Sequence, residues 1–325
     1  MQKILFLAFV SCCFSLKVHA QVNPEEKTVI LDSAALLADL MNLMDSANKP
    51  YSYTIISVAA GNRLFSLNNN RLNAKQETSN TMVYNPSVGY YHKSGLSLSA
   101  GASLLKNVQN GFGVNQYSIT PAYDLIGDSS FNVGISYTHN FVKDKFSSYS
   151  SPIQDDWYAA VSYKKTWLEP GIAFGYSTGE YKQLKTKDTV INNIKRTYYD
   201  SATFALKSFS LMLSASHNFG WEQVFSKKDE ISFTPSVMLN MGSSTTNITH
   251  KTNAQALINF LNKRGKLPRL LSNSFQAESL GLNLDATYTI NNFSIEPQLY
   301  FDYYLPKSDS NKFSQIFTVT VSYTF

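Results

Sequence analysis

Beyond its first twenty residues the chain has no cysteine: both, Cys12 and Cys13, fall in the N-terminal segment. A mature protein cut after Ala20 therefore holds no disulfide, no thiolate metal ligand and no thiol nucleophile. Charge is scarce as well. Asp, Glu, Lys and Arg together make 16% of the residues, against roughly 25% in a soluble domain. The net charge of +5 falls to +3 once Lys3 and Lys17 leave with the first segment (26 basic against 23 acidic). That surplus is too small to point to nucleic acid. Tryptophan is rare at 3 residues, yet 20 Tyr and 21 Phe raise the aromatics to 14%, which excludes disorder. Long apolar runs are missing after the N-terminus, and nothing there approaches the roughly 20 residues of a spanning helix. These absences leave a β-rich protein, soluble or membrane-spanning.

Residues 1–20 read as an export signal. Lys3 supplies the positive start, residues 4–16 the apolar core, and Val18-His19-Ala20 the small residues before a cut. The apolar run is too short for an anchor. A lipoprotein signal acylated at Cys12 or Cys13 is the competing reading, and the residues ahead of them do not form a small-residue lipobox.

From Tyr53 onward apolar and polar residues alternate with a period of two. In the last segment Phe317, Val319, Val321, Tyr323 and Phe325 share one face, and Thr318, Thr320, Ser322 and Thr324 the other. Side chains alternate across a sheet, so this pattern marks half-buried strands. About twelve segments carry it, near 53–64, 82–91, 95–105, 116–125, 130–141, 156–166, 170–180, 206–219, 229–242, 275–290, 293–304 and 312–325. The connections alternate in length. Residues 92–94, 127–129, 167–169 and 291–292 are short; residues 61–81, 142–155, 181–205 and 243–274 are long. Short turns on one side and long loops on the other are the pattern of a bacterial transmembrane barrel. Lipid offers the backbone no hydrogen-bond partners, so only a closed barrel satisfies such strands. Trp157, Tyr158, Trp167, Phe219, Trp221, Tyr303 and Tyr304 stand near strand ends, where a membrane protein places its interfacial aromatics. Pro86, Pro121, Pro235 and Pro297 fall inside the proposed strands, and bulges or strand ends would accommodate them.

The terminal segment, residues 317–325, resembles the last strand of outer-membrane β-barrel proteins of Gram-negative bacteria. In those proteins alternating hydrophobics ending on an aromatic are read by the barrel-assembly machinery. Val319, Val321, Tyr323 and Phe325 match that pattern. The resemblance implies an all-β, transmembrane antiparallel barrel of about twelve strands in the outer membrane. Its partners would be outer-membrane lipid, lipopolysaccharide and the assembly machinery, with no nucleic acid. The organisation expected is a signal peptide at 1–20, a helical segment at 21–50 and the barrel at 51–325.

Two segments read as helices. Asp32 can cap one running to about Asn48, with Leu36, Leu40, Leu43 and Ala47 on one face. It precedes the first strand and so begins on the periplasmic side, as a plug, a docking helix for a periplasmic partner, or a cap. The loop at 243–274 holds the other, with Ala254, Leu257, Ile258 and Leu261 at helical spacing and five basic residues. That charge suits a surface partner such as lipopolysaccharide phosphate, a constriction in the lumen, or plain solvation.

The inward face is rich in small polar residues, with Asp124, Lys164, Asp285, Glu296 and Asp302 as its charged members. A mildly acidic, polar interior fits a pore for small hydrophilic solutes. Two alternatives stand beside it: a non-conducting surface or assembly barrel, and a lipid-hydrolysing barrel enzyme. For the enzyme, His139 near Ser136 and His217 next to Ser216 lie at odd spacing, so the members of each pair face opposite ways. His92 and His250 fall in a turn and a loop. No catalytic set, cofactor motif or metal-ligand spacing emerges.

Overall fold

Strands with one apolar and one polar side have a single closed solution in lipid, and the chain adopts it. The computed structural model describes residues 50–63, 78–107, 111–127, 130–142, 153–191, 194–253, 270–306 and 312–325. Its strands are β1 (Tyr53–Arg63), β2 (Thr78–Tyr91), β3 (Leu96–Asn107), β4 (Gly111–Asp124), β5 (Phe131–Val142), β6 (Asp155–Tyr163) and β7 (Glu169–Ile191). They continue as β8 (Ile194–Ser216), β9 (Phe219–Glu222), β10 (Asp229–Thr252), β11 (Leu270–Ile290), β12 (Phe293–Tyr304) and β13 (Phe313–Thr324). Every pairing is antiparallel, and β13 returns to β1 with Val58 opposite Val321. Backbone bonds between Thr54 and Phe325, at 2.8 and 3.3 Å, complete that seam. Twelve strands make the closed ring; the short β9 prolongs the line of β8 and pairs only with β10.

The outside of the ring is the apolar side. Ile56, Val58, Val88, Leu98, Ile119, Ile135, Phe174, Leu213, Val237, Leu282, Leu299 and Val321 are all exposed there. Buried residues point inward and many are polar, among them Gln116, Asn140, Asp156, Ser210, Asn240, Asn283, Asp302 and Thr318. This is a soluble protein's arrangement turned inside out, as lipid outside a closed barrel requires. Trp157, Trp167, Phe219, Trp221 and Tyr303 are exposed, as expected of interfacial aromatics. Tyr158 departs from that expectation: it packs against an inward cluster, because it alternates with Trp157 along β6.

The four prolines are neither bulges nor strand ends. Each lies within or beside an intact ladder on one flank while the other flank skips it. Pro86 faces Val58, but the pairing of β2 with β3 jumps from Tyr84 to Ser87. Pro121 faces Leu98 while β4 and β5 jump from Ile119 to Ala122. Pro297 faces Val319 while β11 and β12 jump from Gln298 to Ile295 on the β12 side. Pro235 faces Leu284, and on its other side sits the break between β8 and β9. A residue without an N–H is thus placed where one ladder bond is already absent.

Four strands are longer than their alternation suggests. β7, β8, β10 and β11 run to 21–24 residues, so much of 181–205 and 243–274 is strand rather than loop. Above the membrane both faces of a sheet meet water, and the apolar-polar period fades. Thr, Val, Ile and Tyr keep their β-propensity there. Four tall strands consequently rise on one side of the barrel, while the described parts of the other eight ring strands span 9–14 residues. The proposed signal peptide, the helix at 32–48 and the helical stretch at 254–264 lie outside the described residues.

Candidate functional site

The lumen is the candidate site, and the strand period decides what enters it. On β12 the inward positions are Glu296, Gln298, Tyr300 and Asp302; on β11 they are Ser279, Gly281, Asn283 and Asp285. Asp285 accepts a hydrogen bond from Gln298 Nε2 at 3.3 Å. Higher up, Asn240 Nδ2 donates to Ser279 Oγ at 3.0 Å and to Tyr300 OH at 3.2 Å, and Tyr300 OH donates to Asp302 Oδ1 at 2.9 Å. All four members of this network are buried. Tyr300 can reach them because position 281 is glycine: a Cβ there would stand 2.7 Å from the Tyr300 oxygen. Asn240 Oδ1 and Thr318 Oγ1 are buried without a hydrogen-bond partner. Such groups need water or a solute to be satisfied.

The network does not act alone. Ala173, Met212, Met238, Tyr300 and Ile316 pack into an apolar cluster inside the ring, with Tyr158 and Ala160 against it. This cluster fills one side of the lumen. Along β1 to β4 the inward residues are small instead, and a cavity of about 260 Å3 remains. Ser57, Ser87, Ser99, Gly101, Ser118 and Thr120 form one wall; Asn283, Glu296, Gln298 and Tyr300 face them. Hydroxyls knit the small wall together: Ser57 Oγ lies 2.7 Å from Ser87 Oγ, and Ser103 Oγ donates to Asn85 Oδ1 at 2.6 Å. At the end of the ring with the short turns, Tyr53 and Tyr91 stack with centroids 5.0 Å apart.

The residues expected from sequence to line the lumen separate into groups. Glu296 lines the cavity, Asp285 sits beside it, and Asp302 belongs to the buried network. Asp124 ends β4 at the mouth with the short turns, where its carboxylate lies over Gly134. Lys164 is one residue past β6, exposed in the short turn to β7. Sequence reasoning missed Asp156, which is buried and accepts from Ser177 Oγ at 2.7 Å. Its parity with Tyr158, Ala160 and Ser162 is the signal in the sequence that places it inside.

The histidines are spread apart. His92 bonds Ser94 at 2.8 Å within the β2–β3 turn, and His217 Nδ1 bonds the carbonyl of Trp167. His139 pairs with Asp155 across β5 and β6. Among the described residues no cluster of three or more His, Cys, Asp or Glu side chains could hold a metal.

Neither a scan of known protein families nor a search of curated proteins finds a match. Solved structures that the fold resembles are outer-membrane barrels. The NanC porin shares 11% identity over 82% of this chain and 98% of its own, with a TM-score of 0.35. LpxR from Salmonella typhimurium shares 8% over 83% and 99%, at 0.33. The Pseudomonas putida toluene transporter TodX shares 9% over 84% and 88%, at 0.32. At these scores the likeness carries no weight for function.

Proposed function

We propose that this chain is exported to the outer membrane of a Gram-negative bacterium and forms a constricted passage for small hydrophilic solutes, with a preference for cations. The observation that carries this reading is the polar cavity of about 260 Å3 inside a ring whose outer surface is apolar. Water-lined space enclosed by a lipid-facing wall is what a pore needs. Asp285, Glu296 and Asp302 supply the negative field, and a ring interior of low dielectric strengthens it. The cluster of Met212, Met238, Tyr300 and Ile316 makes the passage narrow. Export follows from the segment at 1–20, and insertion from the terminal strand, whose Val321, Tyr323 and Phe325 are exposed on the outside.

Planar-bilayer recording tests this reading. Discrete current steps are expected, with a reversal potential under a salt gradient that favours cations. In the variant carrying Asp285→Asn and Glu296→Gln that preference should weaken. A folded protein that passes neither current nor small sugars contradicts it.

A further inference from the structure

The lumen leaves unexplained a group of polar side chains on the opposite, lipid-facing surface. Across β5, β6 and β7 two rows stand in register on the outside of the wall. In the upper row His139 is opposite Asp155, and Asp155 opposite Thr178. In the row beneath, Tyr137 is opposite Trp157, and Trp157 opposite Tyr176. The upper row is bonded into a unit. His139 Nδ1 lies 2.8 Å from Asp155 Oδ1, Tyr137 OH donates to the same oxygen at 2.7 Å, and Thr178 Oγ1 donates to Oδ2 at 3.4 Å. The two ionisable side chains are 37% and 38% exposed, so they open outward rather than into the lumen.

The height of the rows fixes what they meet. A strand tilted by about 40° climbs roughly 2.5 Å per residue. His139 therefore sits about 20 Å above Phe131, at the foot of the same strand, near the top of an apolar band about 25 Å tall. The ring row below has Trp157 and Tyr176 exposed at the edge of that band. Ionisable groups are tolerated at this level because headgroups and water reach them.

The unit selects among headgroups. Asp155 engages Nδ1 of His139, which leaves Nε2 available to a ligand. The carboxylate adds acceptor capacity and repels phosphate. An acceptor-rich row beside aromatic rings suits a ligand with several hydroxyl donors and apolar C–H faces, which is a sugar. Because the site looks sideways into the lipid, the sugar must be carried by a lipid. We propose that His139, Asp155 and Thr178, seated on Tyr137, Trp157 and Tyr176, bind the hydroxyl-bearing sugar head of a glycolipid in the outer leaflet. This inference rests on the membrane placement above and is independent of whether the barrel conducts.

The test uses the full chain, exported with its own leader and purified from membranes into phosphatidylcholine vesicles. Those vesicles carry uncharged galactosyl diacylglycerol or phosphatidylglycerol in equal small amounts. After mild extraction, native mass spectrometry counts the lipids retained. Galactosyl lipid should be retained about fivefold over phosphatidylcholine, and Asp155→Asn or His139→Gln should abolish the excess while heat-modifiable migration on gels stays normal. Should those variants misfold, Thr178→Val and the comparison of lipids on the unaltered protein carry the test. Equal retention of all lipids, a preference for phosphatidylglycerol, or an excess that survives every substitution overturns the proposal. Binding of free methyl galactoside as tight as that of the galactosyl lipid overturns it too, since the site would then serve a soluble sugar. Insertion without preference sinks this inference alone; failure to insert into any vesicle sinks the membrane placement with it.

Discussion

Single side chains set the bore of the lumen. Tyr300 is held over Gly281 by Asn240 and Asp302, and Met238 packs on its ring. Replacing Tyr300 and Met238 by alanine should widen the passage and raise single-channel conductance roughly twofold or more. An unchanged conductance would place the constriction elsewhere. Gly281→Val should act on the same ring from the other side: a Cβ has no room there, so Tyr300 must swing into the lumen and the conductance should change. Alternation alone assigns Asp285, Glu296 and Asp302 to the face opposite the apolar one. Their partners were not legible in the sequence, since Asn240 and Tyr300 are 60 positions apart and meet only through the register of three strands. The pair His139 and Asp155 was hidden for a related reason. Asp155 read as the end of a loop, and its role depends on standing opposite a residue sixteen positions earlier.

At the scale of elements, the feet of the strands were legible and the tops were not. Inside the membrane one face meets lipid and the other the lumen, so the period of two is enforced; above it the constraint lapses. The tall ends of β7 and β8 are therefore dispensable for closure. Replacing residues 183–201 by a short Gly-Asn turn should leave a heat-modifiable barrel whose circular dichroism loses only the strand signal of the removed residues. Collapse of that signal would mean that the tall sheet holds the ring together. The terminal strand makes a second prediction. Phe325 seals the seam through Thr54 and exposes its ring outside. Deleting it should slow assembly in cells several-fold while the purified protein still refolds, as pulse-chase protection from protease would record. Equal assembly rates would leave the resemblance of residues 317–325 without consequence for insertion.

The molecule as a whole is defined by which side faces lipid. Closure was inferred from connection lengths and is met by the pairing of β13 with β1. Ile135 stands midway up the outer wall, exposed. An arginine there should cost about 2–4 kcal/mol of unfolding free energy in vesicles, against about 0–1 kcal/mol at a position near the band's edge. Denaturant titration of Ile135→Arg and Phe131→Arg reads the difference, and equal costs would place the wall in water. A narrow cation-preferring passage through the closed barrel, as proposed, would show itself in its currents. The purified protein is added to a planar bilayer and its currents are recorded under a tenfold salt gradient. Discrete steps are expected, with a reversal potential that favours cations and moves toward zero with Asp285→Asn and Glu296→Gln together. A silent bilayer holding a folded, inserted barrel would contradict that proposal.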